Sequence, residues 1–154
     1  MKKTNITVLV ASGAFVAAAA AILTYGFYSD MPPLSAGVAA MLWLVAAVCA
    51  VMARVVRRNV EGGTVGFDRS QMSPIAIANW LAIGRASAWT GAIAAGAYIG
   101  IGLYVVPKAA QLASAGEDLP AVLLSAAGGI GLSAAGLWLE RSCEVPPIDG
   151  EPAA

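Results

Sequence analysis

Histidine is absent from this 154-residue chain. That removes the commonest general base, the commonest transition-metal ligand and the usual partner of a nucleophilic serine or cysteine. Charge is scarce, at 12% of residues, where a soluble domain carries about 25%. The nine basic and nine acidic residues cancel. No basic face is left to neutralise phosphates, so no nucleic-acid partner is expected. Only two cysteines occur, Cys49 and Cys143, and their separation gives neither a metal quartet nor a disulfide framework. Cys49 reads as a small buried hydrophobe and Cys143 as a free thiol in a reducing compartment. No metal, cofactor or catalytic cluster is expected, and the chain does not read as an enzyme.

What is present is apolar: 59% of residues, with a mean hydropathy of +0.76. Four stretches, Thr4 to Ser29, Met31 to Ala53, Ala86 to Pro107 and Leu119 to Leu139, carry no charge at all. About 20 apolar residues in a helix cross a bilayer core of about 30 Å with every backbone amide bonded internally. The pattern predicts an all-α integral membrane protein with four transmembrane helices over residues 6–27, 34–54, 86–106 and 119–139. Lys2 and Lys3 before the first run also resemble the head of a secretory signal. The run continues through Tyr25 and Phe27, past any plausible cut, as an anchor does. Ser29 to Pro33 breaks the chain between the first two spans, which predicts two hairpins.

The third segment has a good start at Pro74 and nothing to stop it before Pro107. It is too long for the bilayer core, so residues 74–85 are expected as an interfacial extension and 86–106 as the span. The alternative sinks Arg85 into the bilayer, at about 2.5 to 3.5 kcal/mol for an arginine at a helix centre. Residues 1–141 form the membrane domain, and 142–154, with three acids and no hydrophobic period, a cytoplasmic tail. Of the nine basic residues, Lys2, Lys3, Arg54, Arg57, Arg58, Arg69, Arg85 and Arg141 fall on one side and Lys108 on the other. The positive-inside bias therefore predicts both termini in the cytoplasm.

Arg54, Arg57 and Arg58 at the end of the second span are candidates for contact with an anionic lipid headgroup, or serve only to fix topology. Arg85 and Glu140, at the inner ends of their helices, are a candidate interhelix pair; snorkelling of Arg85 and solvation of Glu140 account for the sequence equally well. No acid lies within a span, which argues against a proton- or cation-coupled carrier. Gly62, Gly63 and Gly66 match no phosphate-binding loop. Ala88, Ala92, Gly96 and Gly100 recur at four-residue spacing on the third helix, as do Ala127, Gly131 and Ala135 on the fourth. Small faces of this kind let helices approach closely.

Three stretches carry a family likeness. They are the arginine-rich end of the second helix with its glycine-containing loop, the segment from Ala82 to Ala92 leading into Gly96-Ala97-Tyr98, and the closing Leu137-Trp138-Leu139-Glu140-Arg141-Ser142-Cys143-Glu144-Val145-Pro146. On these the chain resembles the actinobacterial membrane proteins grouped as domain-of-unknown-function family 3180. The residue after the cysteine is usually basic in that family and is Glu144 here, which weakens any anion site beyond Cys143. The resemblance implies a four-helix layout in an actinobacterial plasma membrane and supplies no catalytic residues.

The expected function is that of a non-catalytic partner, assembly or stabilising component of a membrane system. Its contacts would be the bilayer, anionic lipids, and another membrane protein or a second copy. The alternative is a small-solute or lipid transporter, or flippase, with Arg85 as an anion site.

Overall fold

The computed structural model describes residues 4–28, 35–61 and 74–143. They form four helices, α1 (Ile6–Phe27), α2 (Ala36–Glu61), α3 (Pro74–Lys108) and α4 (Ala113–Ser142). Each is long and apolar enough to cross a membrane. Among the described residues there is no strand. The predicted tail beyond Cys143, the loop glycines and Arg69 lie outside the described residues.

Local chemistry sets the starts. The Asn5 side chain accepts a hydrogen bond from the Thr7 amide at 3.0 Å, and Ser35 Oγ accepts one from Gly37 at 3.0 Å. Both bonds satisfy amides that a helix start leaves unpaired. α3 opens on Pro74, where a missing N–H costs nothing. α4 begins at Ala113, earlier than the span predicted from Leu119. Pro120 is not its start but sits within it.

The helices alternate in direction. Gly13 of α1 lies on Ala92 and Gly96 of α3, and Ala17 on Gly100, so these two helices run parallel. On α4, Gly136 meets Gly84 and Ala88 of α3 while Gly129 meets Ala95, so α3 and α4 run antiparallel. The Trp43 indole N–H donates to the Leu124 carbonyl at 3.2 Å and Arg54 reaches Trp138, so α2 runs parallel to α4. Both described ends of the chain therefore share one end of the bundle, here called the basic end. The other is the tyrosine end, after Tyr25, Tyr28 and Tyr104.

Packing follows the order α1, α3, α4, α2. α1 and α2 are consecutive and antiparallel but do not pack on each other; α1 lies on α3 instead. The hairpin inferred from the break at Ser29 to Pro33 is thus open, whereas α3 and α4 form a tight one. α3 spans 35 residues without a break, about 52 Å. Its first turns do not leave the bundle: Ile77, Trp80 and Leu81 pack with Ala53, Val56, Leu139 and Cys143. The segment over 74–85 is therefore one layer of a packed three-helix end, because α2 and α4 extend just as far.

Candidate functional site

Three places hold the residues singled out by the sequence. The first is the small-residue surface of α3. A Cβ on Gly96 would strike the Gly13 backbone, and one on Gly100 would strike Ala17 of α1. Ala92 joins this contact through its carbonyl oxygen, 3.1 Å from where a Gly13 Cβ would stand. Ala88 faces elsewhere. With Gly84, Gly91 and Ala95 it meets Gly129, Ser133 and Gly136 of α4. Four residues turn a helix by about 400°, so a four-residue stripe drifts about 40° per step. From Ala88 to Gly100 the stripe crosses from one neighbour to another. On α4, Gly131 packs loosely, with Trp43 at 4.0 Å from its notional Cβ, and Ala127 is exposed. The close contact with α3 comes from Gly129 and Gly136, which the four-residue pattern missed and a seven-residue spacing reveals.

Because α1 touches only α3, an apolar groove of about 700 Å³ opens between α1 and α4. Val10, Ala14 and Ala18 form one wall, Ile130, Ala134 and Leu137 the other, and Gly96 and Ile99 lie on the floor. Ser133 is the one polar side chain in its lining.

The basic end holds the second set. Glu140 is buried, and its Oε1 accepts hydrogen bonds from the Thr4 amide and the Thr4 hydroxyl, each at 2.9 Å. Its Oε2 is buried with no hydrogen-bond partner. The candidate partner Arg85 is exposed and does not meet this carboxylate. Arg85 stands one residue past Gly84, about 100° round the helix from the α4 contact, and so Glu140 turns to the start of α1 instead. No sequence signal joins Thr4 to a residue 136 positions away. Arg54, Arg57 and Arg58 are all exposed. Arg54 places its guanidinium carbon 5.1 Å from the centre of the Trp138 ring, a cation–π distance.

At the tyrosine end, the Tyr28 hydroxyl donates to Oδ2 of Asp118 at 3.0 Å. Tyr104 packs edge-on to Tyr25 at 5.0 Å and under the Lys108 ammonium at 4.3 Å. Burial, then the hydrogen bond to Asp118 and its negative charge, raises the Tyr28 phenol above its ordinary range.

Cys49 is buried and donates to Ser87 Oγ at 3.4 Å. Cys143 caps α4 and is a free thiol, as the sequence suggested, but a buried one. Burial pushes this thiol upward from its ordinary value of 9.0. Among the described residues, no group of three histidine, cysteine or carboxylate side chains could hold a metal ion.

No curated protein matches the chain, and no solved structure does. The family described as protein of unknown function (DUF3180) matches residues 9–147. With four membrane-spanning helices in place and the match running from the first turn of α1 to beyond the cap of α4, the chain belongs to the DUF3180 family.

Proposed function

We propose that this protein is a non-catalytic component of a plasma-membrane system, and that it receives a transmembrane helix of another membrane protein in the groove between α1 and α4. The groove is the observation that supports this reading. Helix association in lipid gains little from hydrophobicity, so it depends on close packing, which small residues permit. Ala14, Ala18 and Ala134 on the walls would allow such an approach. A second copy fits less well, because a two-fold dimer needs a self-complementary patch and a groove does not fill itself. The reading also includes anionic lipid at the basic end. A small-solute or lipid transporter using Arg85 has less in its favour, since Arg85 is exposed and the groove lining carries no ionisable group.

The test is photocrosslinking in native membranes from a probe at Ala14, at Ala134, and at Met41, which is 70% exposed and lies on α2 away from the groove. The reading expects one shared adduct from Ala14 and Ala134, identified by mass as another membrane protein, and none from Met41. An adduct with a second copy, equal labelling from all three positions, or no protein adduct from the groove would overturn it.

A further inference from the structure

The seam between α2 and α4 carries a charged feature that helix docking does not use. Trp138 follows Gly136 by two positions, about 200° round α4, and Gly136 faces α3. Trp138 therefore stands on the flank opposite α3, with Arg54 over its ring at 5.1 Å. Arg58 lies one turn beyond Arg54, and Arg141 about one turn beyond Trp138. Since α2 and α4 run parallel, both steps lead toward the basic end. Arg54, Arg58 and Arg141 are all exposed, and the axial step from the Trp138 level to the farther two is only about 6 Å. Glu140, the neighbouring carboxylate on α4, is turned to Thr4 on another face. Just outward of the arginines, α2 shows Leu44, Val48, Val51 and Val55 as exposed apolar side chains.

The geometry points to a discrete site for an anionic phospholipid, its phosphate held by Arg54, Arg58 and Arg141 around the Trp138 ring and its acyl chains along α2. Three cations favour net negative charge over a zwitterionic headgroup. The stacked Arg54 is oriented in advance, which lowers the entropy lost when its donors meet phosphate oxygens. The apolar strip favours a lipid over free phosphate. This inference deepens the lipid contact in the reading above and is independent of the groove, which lies on the α1 side of α4.

Native mass spectrometry of the full chain in detergent, with added dioleoylphosphatidylglycerol or dioleoylphosphatidylcholine, tests it. The parent should retain phosphatidylglycerol in preference to phosphatidylcholine. Arg54→Gln, Arg58→Gln and Arg141→Gln should each weaken retention about fivefold. Trp138→Leu should weaken it with no change in charge. Arg85→Gln removes one charge from α3, away from this seam, and should leave retention unchanged; soluble glycerol phosphate should not displace the lipid. Arg58 and Arg141 are exposed, so their variants keep the test valid if Arg54→Gln or Trp138→Leu fails to fold. Equal losses for all four arginines would mean bulk charge attraction and overturn the site. So would no loss for Arg58→Gln and Arg141→Gln, equal retention of the two lipids, or displacement by glycerol phosphate. The groove crosslinks can fail while these results stand, and the reverse holds too.

Discussion

Thr4 donates twice to one carboxylate oxygen of Glu140, from its backbone amide and from its hydroxyl, each at 2.9 Å. The bond joins the start of α1 to the end of α4, two helices that do not pack along their lengths and are tied at their other ends by Tyr28 and Asp118. Hydrogen bonds to a charged group contribute about 1.5 to 3 kcal/mol. Thr4→Val keeps the amide and removes the hydroxyl, so it should lower thermal stability in detergent by about 1 to 2 kcal/mol. Arg85→Gln should change it by less than about 0.5 kcal/mol, as expected for an exposed side chain. A Thr4→Val and Glu140→Leu cycle should show coupling, whereas Arg85→Gln and Glu140→Leu should add independently. Coupling to Arg85 in place of Thr4 would overturn the assignment.

The glycines give a sharper contrast. Gly96 and Gly131 are both helical glycines within small-residue repeats, so sequence treats them alike. A Cβ on Gly96 would strike the Gly13 backbone, which cannot step aside as a flexible side chain can. On Gly131 the nearest atom would be Trp43 Cζ3 at 4.0 Å. Gly96→Ala should therefore destabilise by about 1 to 3 kcal/mol through overpacking. Gly131→Ala should be neutral or stabilise by up to about 1 kcal/mol, because alanine loses less backbone entropy in a helix. Thermal melts of the two variants in one detergent decide it, and equal behaviour would remove the close contact between α1 and α3.

This contrast marks where the sequence is legible. The four helices could be read because uncharged runs of about 20 residues have one stable form in lipid. The neighbour of α1 could not be read. The break at Ser29 to Pro33 favours α2 by proximity, but the fit of Gly13 onto Gly96 lies between helices far apart in the chain. The same limit applies to Glu140, whose inner position suggested Arg85 while its partner lies before α1. Gly129 and Gly136 were legible in principle, since their seven-residue spacing holds one face better than the four-residue spacing does: seven residues drift only about 20°. The fourth span was set at Leu119 because Glu117 and Asp118 end the uncharged run, while the helix itself starts at Ala113; the reach of Tyr28 to Asp118 depends on the fold.

That reach predicts a pH dependence at the tyrosine end. The Tyr28 phenol is raised by burial first, then by its hydrogen bond to Asp118 and by the negative charge there. A raised acid keeps its proton in the folded state after the unfolded chain has lost it. Its contribution to stability is therefore full below pH 10.0, the ordinary value, and is lost as pH rises through the folded value. In an absorbance titration Tyr28 should belong to the late-ionising fraction, and Tyr28→Phe should remove one tyrosine from that fraction. Loss of an early-ionising tyrosine would contradict the Tyr28–Asp118 bond.

Cys143 bears on orientation. Burial against Ala53, Val56 and Leu139 leaves little room for a reagent and raises its pKa from 9.0, so the reactive thiolate is scarce at neutral pH. By the same sign argument, the neutral thiol stabilises the fold below pH 9.0 and that contribution fades as pH rises through the folded value. An impermeant maleimide should leave Cys143 unlabelled in intact cells and equally in opened ones, and label it only after denaturation. The native cysteine is thus silent about topology, whichever side it faces. Exposed positions are not silent. In a Cys143→Ser background, Gln111→Cys lies in the turn between α3 and α4, and Arg58→Cys lies near the end of α2; both sites are exposed and at opposite ends of the bundle. With the basic end in the cytoplasm, Gln111→Cys should label in intact cells and Arg58→Cys only after the cells are opened. The reverse pattern would invert the orientation that the charge distribution predicts, and labelling of native Cys143 in opened cells at neutral pH would show that the end of α4 is not packed against α2.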